Sequence, residues 1–135
     1  MSTASDMVLR WLEIARGDLL AARNCIDGPH FLPGFAAYHC QQAAEKLVKA
    51  ILVHRGIEPP KSHDIDTLAD RLSSADRSRF ALASLGRLTP YAIAFRYPEE
   101  DLEPSIPGRD EIVSWISEIE AAIQRAVAEL TDPPA

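Results

Sequence analysis

Between Phe35 and His54 the chain runs for twenty residues, FAAYHCQQAAEKLVKAILVH, without a glycine or a proline. Alanine, leucine, lysine, glutamine and glutamate dominate it, and these lose little on entering a helix. The stretch predicts one helix of about five turns. At about 100° per residue its side chains divide into two faces. Ala36, Cys40, Ala43, Ala44, Leu47, Val48 and Ile51 form an apolar arc too wide for a helix lying on a surface. Tyr38, Gln42, Glu45 and Lys49 form a narrow polar stripe, flanked by Gln41 and Lys46. Residues three or four apart stack along one line, and a glutamate four residues before a lysine is the favourable order for an ion pair. The stripe therefore faces water or a binding site, and the arc predicts several helical neighbours.

The rest of the chain supplies those neighbours. Ser5 to Ile26 predicts a first helix, capped by Ser5 or Ser2. Val8, Trp11, Leu12, Ala15, Leu19, Ala22 and Ile26 lie on its inner face, where Asp18 needs a partner such as Lys46, Lys49 or Arg96. Two prolines and two glycines within Asp27–Gly34 end this helix and make the next an antiparallel neighbour. Gly56 and Pro59-Pro60 stop the central helix. Ser62 or Asp64 caps a shorter helix with Ile65, Leu68, Ala69 and Leu72 inward. The polar run Ser73–Ser78 reads as a break, after which Phe80, Leu82, Leu85 and Leu88 resume an apolar pattern and Pro90 kinks or restarts the helix. Pro98–Gly108 reads as a loop. Arg109–Leu130 predicts the last helix, with Ile112, Val113, Ile116, Ile119, Ile123, Val127 and Leu130 inward and Trp115 at the margin. No strand pattern, repeat or low-complexity segment occurs. The expected fold is all-α: an antiparallel up-and-down four-helix bundle with an additional short helix.

Length fits one domain over residues 1–135, with a core about 6–130 and a tail at 131–135. A net charge of -6 argues against a dominant nucleic-acid footprint, so RNA is not the favoured partner. No apolar run approaches the roughly 18 residues that span a bilayer, and the first residues show no secretory h-region, so a cytoplasmic location is expected. Cys25 and Cys40, the only cysteines, read as small packing residues.

Phosphate-loop, dinucleotide-loop, H-E-x-x-H and Cys/His ligand patterns are absent. What remains is QQAAEKLVKAIL at Gln41–Leu52, SHDI at Ser62–Ile65 and YAIAFRYPE at Tyr91–Glu99, preceded by Trp11, Ala15, Asp18 and Leu19 in a W-x-x-x-A-x-x-D-L pattern. Together these resemble the HEPN domain (higher eukaryotes and prokaryotes nucleotide-binding), over about residues 6 to 130. The resemblance implies a small helical bundle that forms a homodimer and partners a minimal nucleotidyltransferase, often as a toxin–antitoxin pair. It implies no cofactor, but ATP or GTP as a ligand. It also brings Gln42, Glu45, Lys46, Lys49, His63, Arg96 and Tyr97 together as a nucleotide-binding set. In that reading Lys46, Lys49 and Arg96 meet phosphate and Tyr97 stacks on a base.

One branch of the family consists of metal-independent ribonucleases with a late R-x(4–6)-H motif. Here Arg96 is followed by Tyr97-Pro98-Glu99-Glu100-Asp101-Leu102, and no histidine occurs after His63. Arg23 and His30 have the spacing but lie at the end of the first helix. Without a late histidine the obvious general acid/base is missing. The expectation is a non-catalytic nucleotide-binding or interaction module; a ribonuclease toxin and a structural dimer scaffold are the alternatives. Purified protein incubated with tRNA and EDTA should leave the RNA intact. Cleavage that disappears on Arg96→Ala would restore the enzyme.

Overall fold

Thr3 opens the first helix. Its hydroxyl accepts from the Asp6 N–H at 3.1 Å while the Asp6 carboxylate accepts from the Thr3 N–H at 3.1 Å. This reciprocal pair satisfies two end donors, so the cap is Thr3 and not Ser5 or Ser2. The computed structural model describes residues 3–94 and 106–131. Among these, α1 (Ala4–Asp27) is followed by α2 (Pro33–His54), α3 (Ile65–Ala69), α4 (Ser74–Arg79), a 3-10 helix (Ala83–Leu88), α5 (Pro90–Ala94) and α6 (Arg109–Leu130). The described residues contain helices and no strand, in an all-α bundle.

The short connection after Asp27 folds α2 back along α1. Trp11 lies beside Lys49 and Asp18 beside His39, so numbers rise on one helix as they fall on the other. α6 runs antiparallel to α1, with Arg109 donating to the Ile26 carbonyl at 2.6 Å and Arg23 paired with Glu120. The fourth position is shared by α3, the 3-10 helix and α5. Ile65, Leu68, Ala69, Leu72, Phe80, Leu82, Leu85 and Leu88 are buried there, as their spacing predicts. α2 sits between all of these. Ala36, Ala37, Cys40, Ala43, Ala44, Leu47, Val48, Ala50, Ile51 and Leu52 are all shielded from solvent. Its apolar arc is thus covered by the chain's own helices and makes no demand for a second copy. The helix ends where Gly56 adopts φ 75°, with the Gly56 N–H donating to Val53 and the Ile57 N–H to Leu52. That is the left-handed closure for which glycine is suited.

Three details differ from the sequence reading. Ser74–Arg79 is a helix and not a break. Ser73 caps it, accepting from the Asp76 N–H at 3.1 Å, and none of its residues is buried. Val113 is 48% exposed, whereas Trp115 is buried against Tyr91 at 5.7 Å between ring centres, with the Arg87 guanidinium 6.0 Å from its ring. The inner face of α6 is therefore turned slightly from the expected stripe. Of the expected Pro98–Gly108 loop, residues up to 105 lie outside the described residues.

With no core side chain, α4 is held by ion pairs. Arg55 grips Asp76 through two bonds of 2.9 Å, and Arg79 grips Glu129 through two of 2.6 Å. Exposed pairs of this kind contribute little each and weaken with salt. Arg79→Ala should leave global stability almost unchanged while amide exchange across 74–79 accelerates a few-fold. Hydrogen-exchange mass spectrometry checks this; unchanged exchange would mean that backbone capping alone holds α4.

Candidate functional site

The polar stripe of α2 lies inside the protein. Gln41, Gln42 and Glu45 are 0%, 6% and 1% exposed. Glu45 and Lys49 are consequently not a surface pair. A carboxylate at this depth is costly unless charge and hydrogen bonds surround it, and here both oxygens are engaged. Glu45 Oε2 accepts from Lys46 Nζ and Lys49 Nζ, each at 3.2 Å. Glu45 Oε1 accepts from Gln41 Nε2 at 3.3 Å and His63 Nδ1 at 2.8 Å. Since a carboxylate only accepts, Nδ1 carries the proton.

The glutamines extend the network. Gln42 Nε2 donates to Gln41 Oε1 at 2.6 Å, and Lys46 Nζ donates to Gln42 Oε1 at 2.9 Å. Gln41 Nε2 also donates to the His63 carbonyl at 3.1 Å, tying the segment before α3 to the middle of α2. Asp64, the next residue, caps α3 through the Asp66 and Thr67 N–H groups. Among the described residues no buried side-chain nitrogen or oxygen lacks a partner.

The tips of this network reach the surface unevenly. The side chains of Lys46 and Lys49 are 17% and 13% exposed, and that of His63 is 51% exposed. Lys49 Nζ also lies 5.6 Å from the centre of the Trp11 ring, near enough for a cation–π contact. Burial pushes the Glu45 carboxyl up. The His63 hydrogen bond and the charges of Lys46 and Lys49 pull it down further, and it settles at about 2, against an ordinary 4.5. Two ammonium groups thus face one ionised carboxylate, and the cluster keeps one surplus positive charge.

The structure brings Gln42, Glu45, Lys46, Lys49 and His63 together. Arg96 and Tyr97 lie outside the described residues. Gln41, only a flank of the stripe in sequence, makes three of the network's hydrogen bonds, and Trp11, read as core, is also the floor beneath Lys49. Of the cations expected for it, Asp18 pairs with neither Lys46 nor Lys49, and Arg96 lies outside the described residues. Its Oδ1 lies 3.1 Å from His39 Nδ1, because the antiparallel register sets it near the start of α2, whereas Lys46 and Lys49 lie turns further on. The Tyr38 ring stands edge-on to His39 at 5.4 Å. Arg23, whose spacing from His30 mimics the ribonuclease motif, is engaged by Glu120 on α6. Among the described residues no group of three or more His, Cys, Asp or Glu could hold a metal ion. No helix among them is long and apolar enough to cross a membrane.

The described residues define an all-helical bundle whose central helix turns a glutamine–glutamate–lysine line onto a histidine. The HEPN domain family model matches residues 8–130, nearly the whole chain, and the chain belongs to the HEPN family, whose domains are nucleotide- and RNA-interacting modules. Comparison with curated proteins and with solved structures gave no match.

The lowered carboxyl gives a pH prediction. The folded protein holds the Glu45 proton less tightly than the unfolded chain. The stabilisation from Glu45 is therefore complete above about pH 4.5 and is lost as pH falls toward about 2. In urea titrations across that window, Glu45→Gln should be less stable than wild type at pH 6, and the gap should close steadily as the pH falls. A gap that stays constant would show that Glu45 is not ionised in the folded core.

Proposed function

We propose that the chain is a HEPN-type nucleotide-binding and interaction module that acts beside a minimal nucleotidyltransferase in a cytoplasmic toxin–antitoxin pair, as a homodimer. The observation that carries the nucleotide part is the charge balance of the cluster: one buried carboxylate against two lysines, with their tips and His63 at the edge. A phosphate group suits that surplus, meeting Lys46 and Lys49 as point charges. Gln42 offers amide hydrogen bonds to a base edge or ribose. Arg96 and Tyr97 complete the reading from the resemblance.

Calorimetry with ATP and with GTP at low salt tests it. Binding should be weak, about micromolar at best, and should fade as salt rises. Lys46→Ala and Lys49→Ala should each weaken it about tenfold. No heat at millimolar nucleotide would remove the nucleotide part and leave the interaction role. The dimer is tested separately: sedimentation at micromolar concentration should show twice the chain mass.

The closed hydrogen-bond network favours a second reading, in which the cluster is a structural lock. Stability measurements separate the two. Because either lysine alone still answers Glu45, each single alanine variant should lose about 1 kcal/mol. The double variant leaves the carboxylate with His63 and Gln41 only and should lose about 3 kcal/mol or more, exceeding the sum of the singles. A single Lys49→Ala that costs as much as the double would make Lys49 the lock and withdraw it as a phosphate ligand.

A further inference from the structure

Between Ala36 and Leu52, α2 keeps part of its surface at Tyr38, His39, Lys46 and Lys49, and every other residue of that run is buried. This window has two unlike ends. Lys46 and Lys49 occupy one. At the other, Asp18 Oδ1 lies 3.1 Å from His39 Nδ1, and the Tyr38 ring stands edge-on to the imidazole at 5.4 Å between ring centres. The Asp18 and His39 side chains are 19% and 29% exposed, so the pair is half-buried and keeps an edge in the window. Two turns of helix, about 10 Å, separate His39 from Lys46, and Gln42 lies between them. The hydrogen bonds of the Glu45 network do not involve this pair.

The pairing fixes what the imidazole can do. A carboxylate only accepts, so His39 Nδ1 carries the proton and donates to Asp18. In the neutral ring Nε2, on the far side from that carboxylate, is then a lone-pair acceptor. Among the described residues nothing donates to it. An acceptor held in this way selects a ligand that brings an N–H. Asp18 also sets the direction of a nucleotide in the window. Its charge turns phosphate away from this end, and the two lysines receive it at the other. About two helical turns match the reach from the phosphates of a nucleoside di- or triphosphate, past a ribose over Gln42, to the edge of the base. We infer that His39, held by Asp18, reads the base of the nucleotide: Nε2 accepts a hydrogen bond from the exocyclic amino group of adenine or guanine. The inference rests on the nucleotide reading above and adds to it a specificity-determining pair outside the Glu45 network.

Calorimetry at low salt and about pH 8, where histidine is ordinarily neutral, compares two pairs of nucleotides. ATP is set against purine riboside triphosphate, which lacks only the amino group of adenine. GTP is set against ITP, which lacks only the amino group of guanine. In one pair the amino-bearing member should bind about five- to tenfold more tightly, and that pair identifies the base. His39→Phe keeps a ring beside Tyr38 but has no acceptor, and it should erase the preference. Asp18→Asn offers an amide N–H to Nδ1, favours the proton on Nε2, and should shrink it. A merely structural pair would weaken both members of each set alike and leave their ratio unchanged, as Lys49→Ala should through the shared phosphates. A preference absent from the wild type, or intact in either variant, overturns the inference. No heat from any of the four nucleotides at millimolar concentration removes the nucleotide reading and the inference with it; heat without a preference removes the inference alone. Nitrogen NMR of the wild-type imidazole needs no variant to fold. Nε2 should read as the unprotonated nitrogen and move upfield with the preferred nucleotide, and an unprotonated Nδ1 overturns the inference as well.

Discussion

A carboxylate in the middle of the most buried helix is the constraint that organises this protein. Glu45 is 1% exposed, and water contributes almost nothing to its solvation. Its desolvation must be offset locally, and the helix supplies most of what is needed from its own sequence: Gln41 four residues before, Lys46 next to it and Lys49 four residues after. One donor must come from elsewhere, and it is His63. That requirement fixes the path of the chain after α2. Gly56 turns it, Pro59 and Pro60 keep it from resuming a helix, Gln41 holds the His63 backbone, and Asp64 starts α3 one residue later. The position of the fourth layer of the bundle thus follows from satisfying one oxygen on the second helix.

The same helix explains why its neighbours can come so close. Among the described residues eight alanines of the long helices, at 36, 37, 43, 44 and 50 on α2, 15 and 22 on α1 and 126 on α6, are fully buried. Small side chains allow short interaxial distances, and the closer the backbones the less room there is for water near Glu45. The periphery obeys other rules. α4 and the ends of α1, α2 and α6 are joined by arginine–carboxylate pairs: Arg55 with Asp76, Arg79 with Glu129, Arg23 with Glu120, Arg109 with Asp27. The bundle is therefore tightly packed around one closed polar cluster and tied by exposed ion pairs at its periphery.

Much of this was legible in the residues. The twenty-residue run of α2, the 22-residue last helix from Arg109 to Leu130 and the glycine stop at position 56 could all be read because periodicity, helix formers and a left-handed terminator are local signals. α4 was not, because a helix held by ion pairs leaves no apolar period. Nor was the partner of Asp18. The register between two antiparallel helices decides which side chain it meets, and register is a property of the pair. The pairing of Glu45 with Lys49 was readable from their spacing, but the depth of the pair was not. Polar residues at helical spacing look alike whether they face water or form a closed network inside. The central place of Gln41 has the same origin: its value comes from the His63 carbonyl, which no spacing within α2 reveals.

A closed network also sets the terms on which it can act. Both lysines already donate to Glu45, so a phosphate arriving at the edge must share or take one of those bonds. Net hydrogen-bond contributions inside proteins are about 1 kcal/mol, or about 1.5–3 where a charge takes part. A dianionic phosphate therefore gains little beyond what it displaces, unless the second lysine keeps Glu45 satisfied while the first turns outward. Redundancy makes that possible: Glu45 accepts from two lysines, Gln41 and His63, and losing one leaves three. The surplus charge would be useless in a network with a single lysine, where ligand and carboxylate compete directly for one ammonium. Two lysines one turn apart on one helix let the core stay satisfied while the edge responds. In this protein the physical basis for any anion binding at α2 is that arrangement and not the number of cations on an otherwise acidic surface.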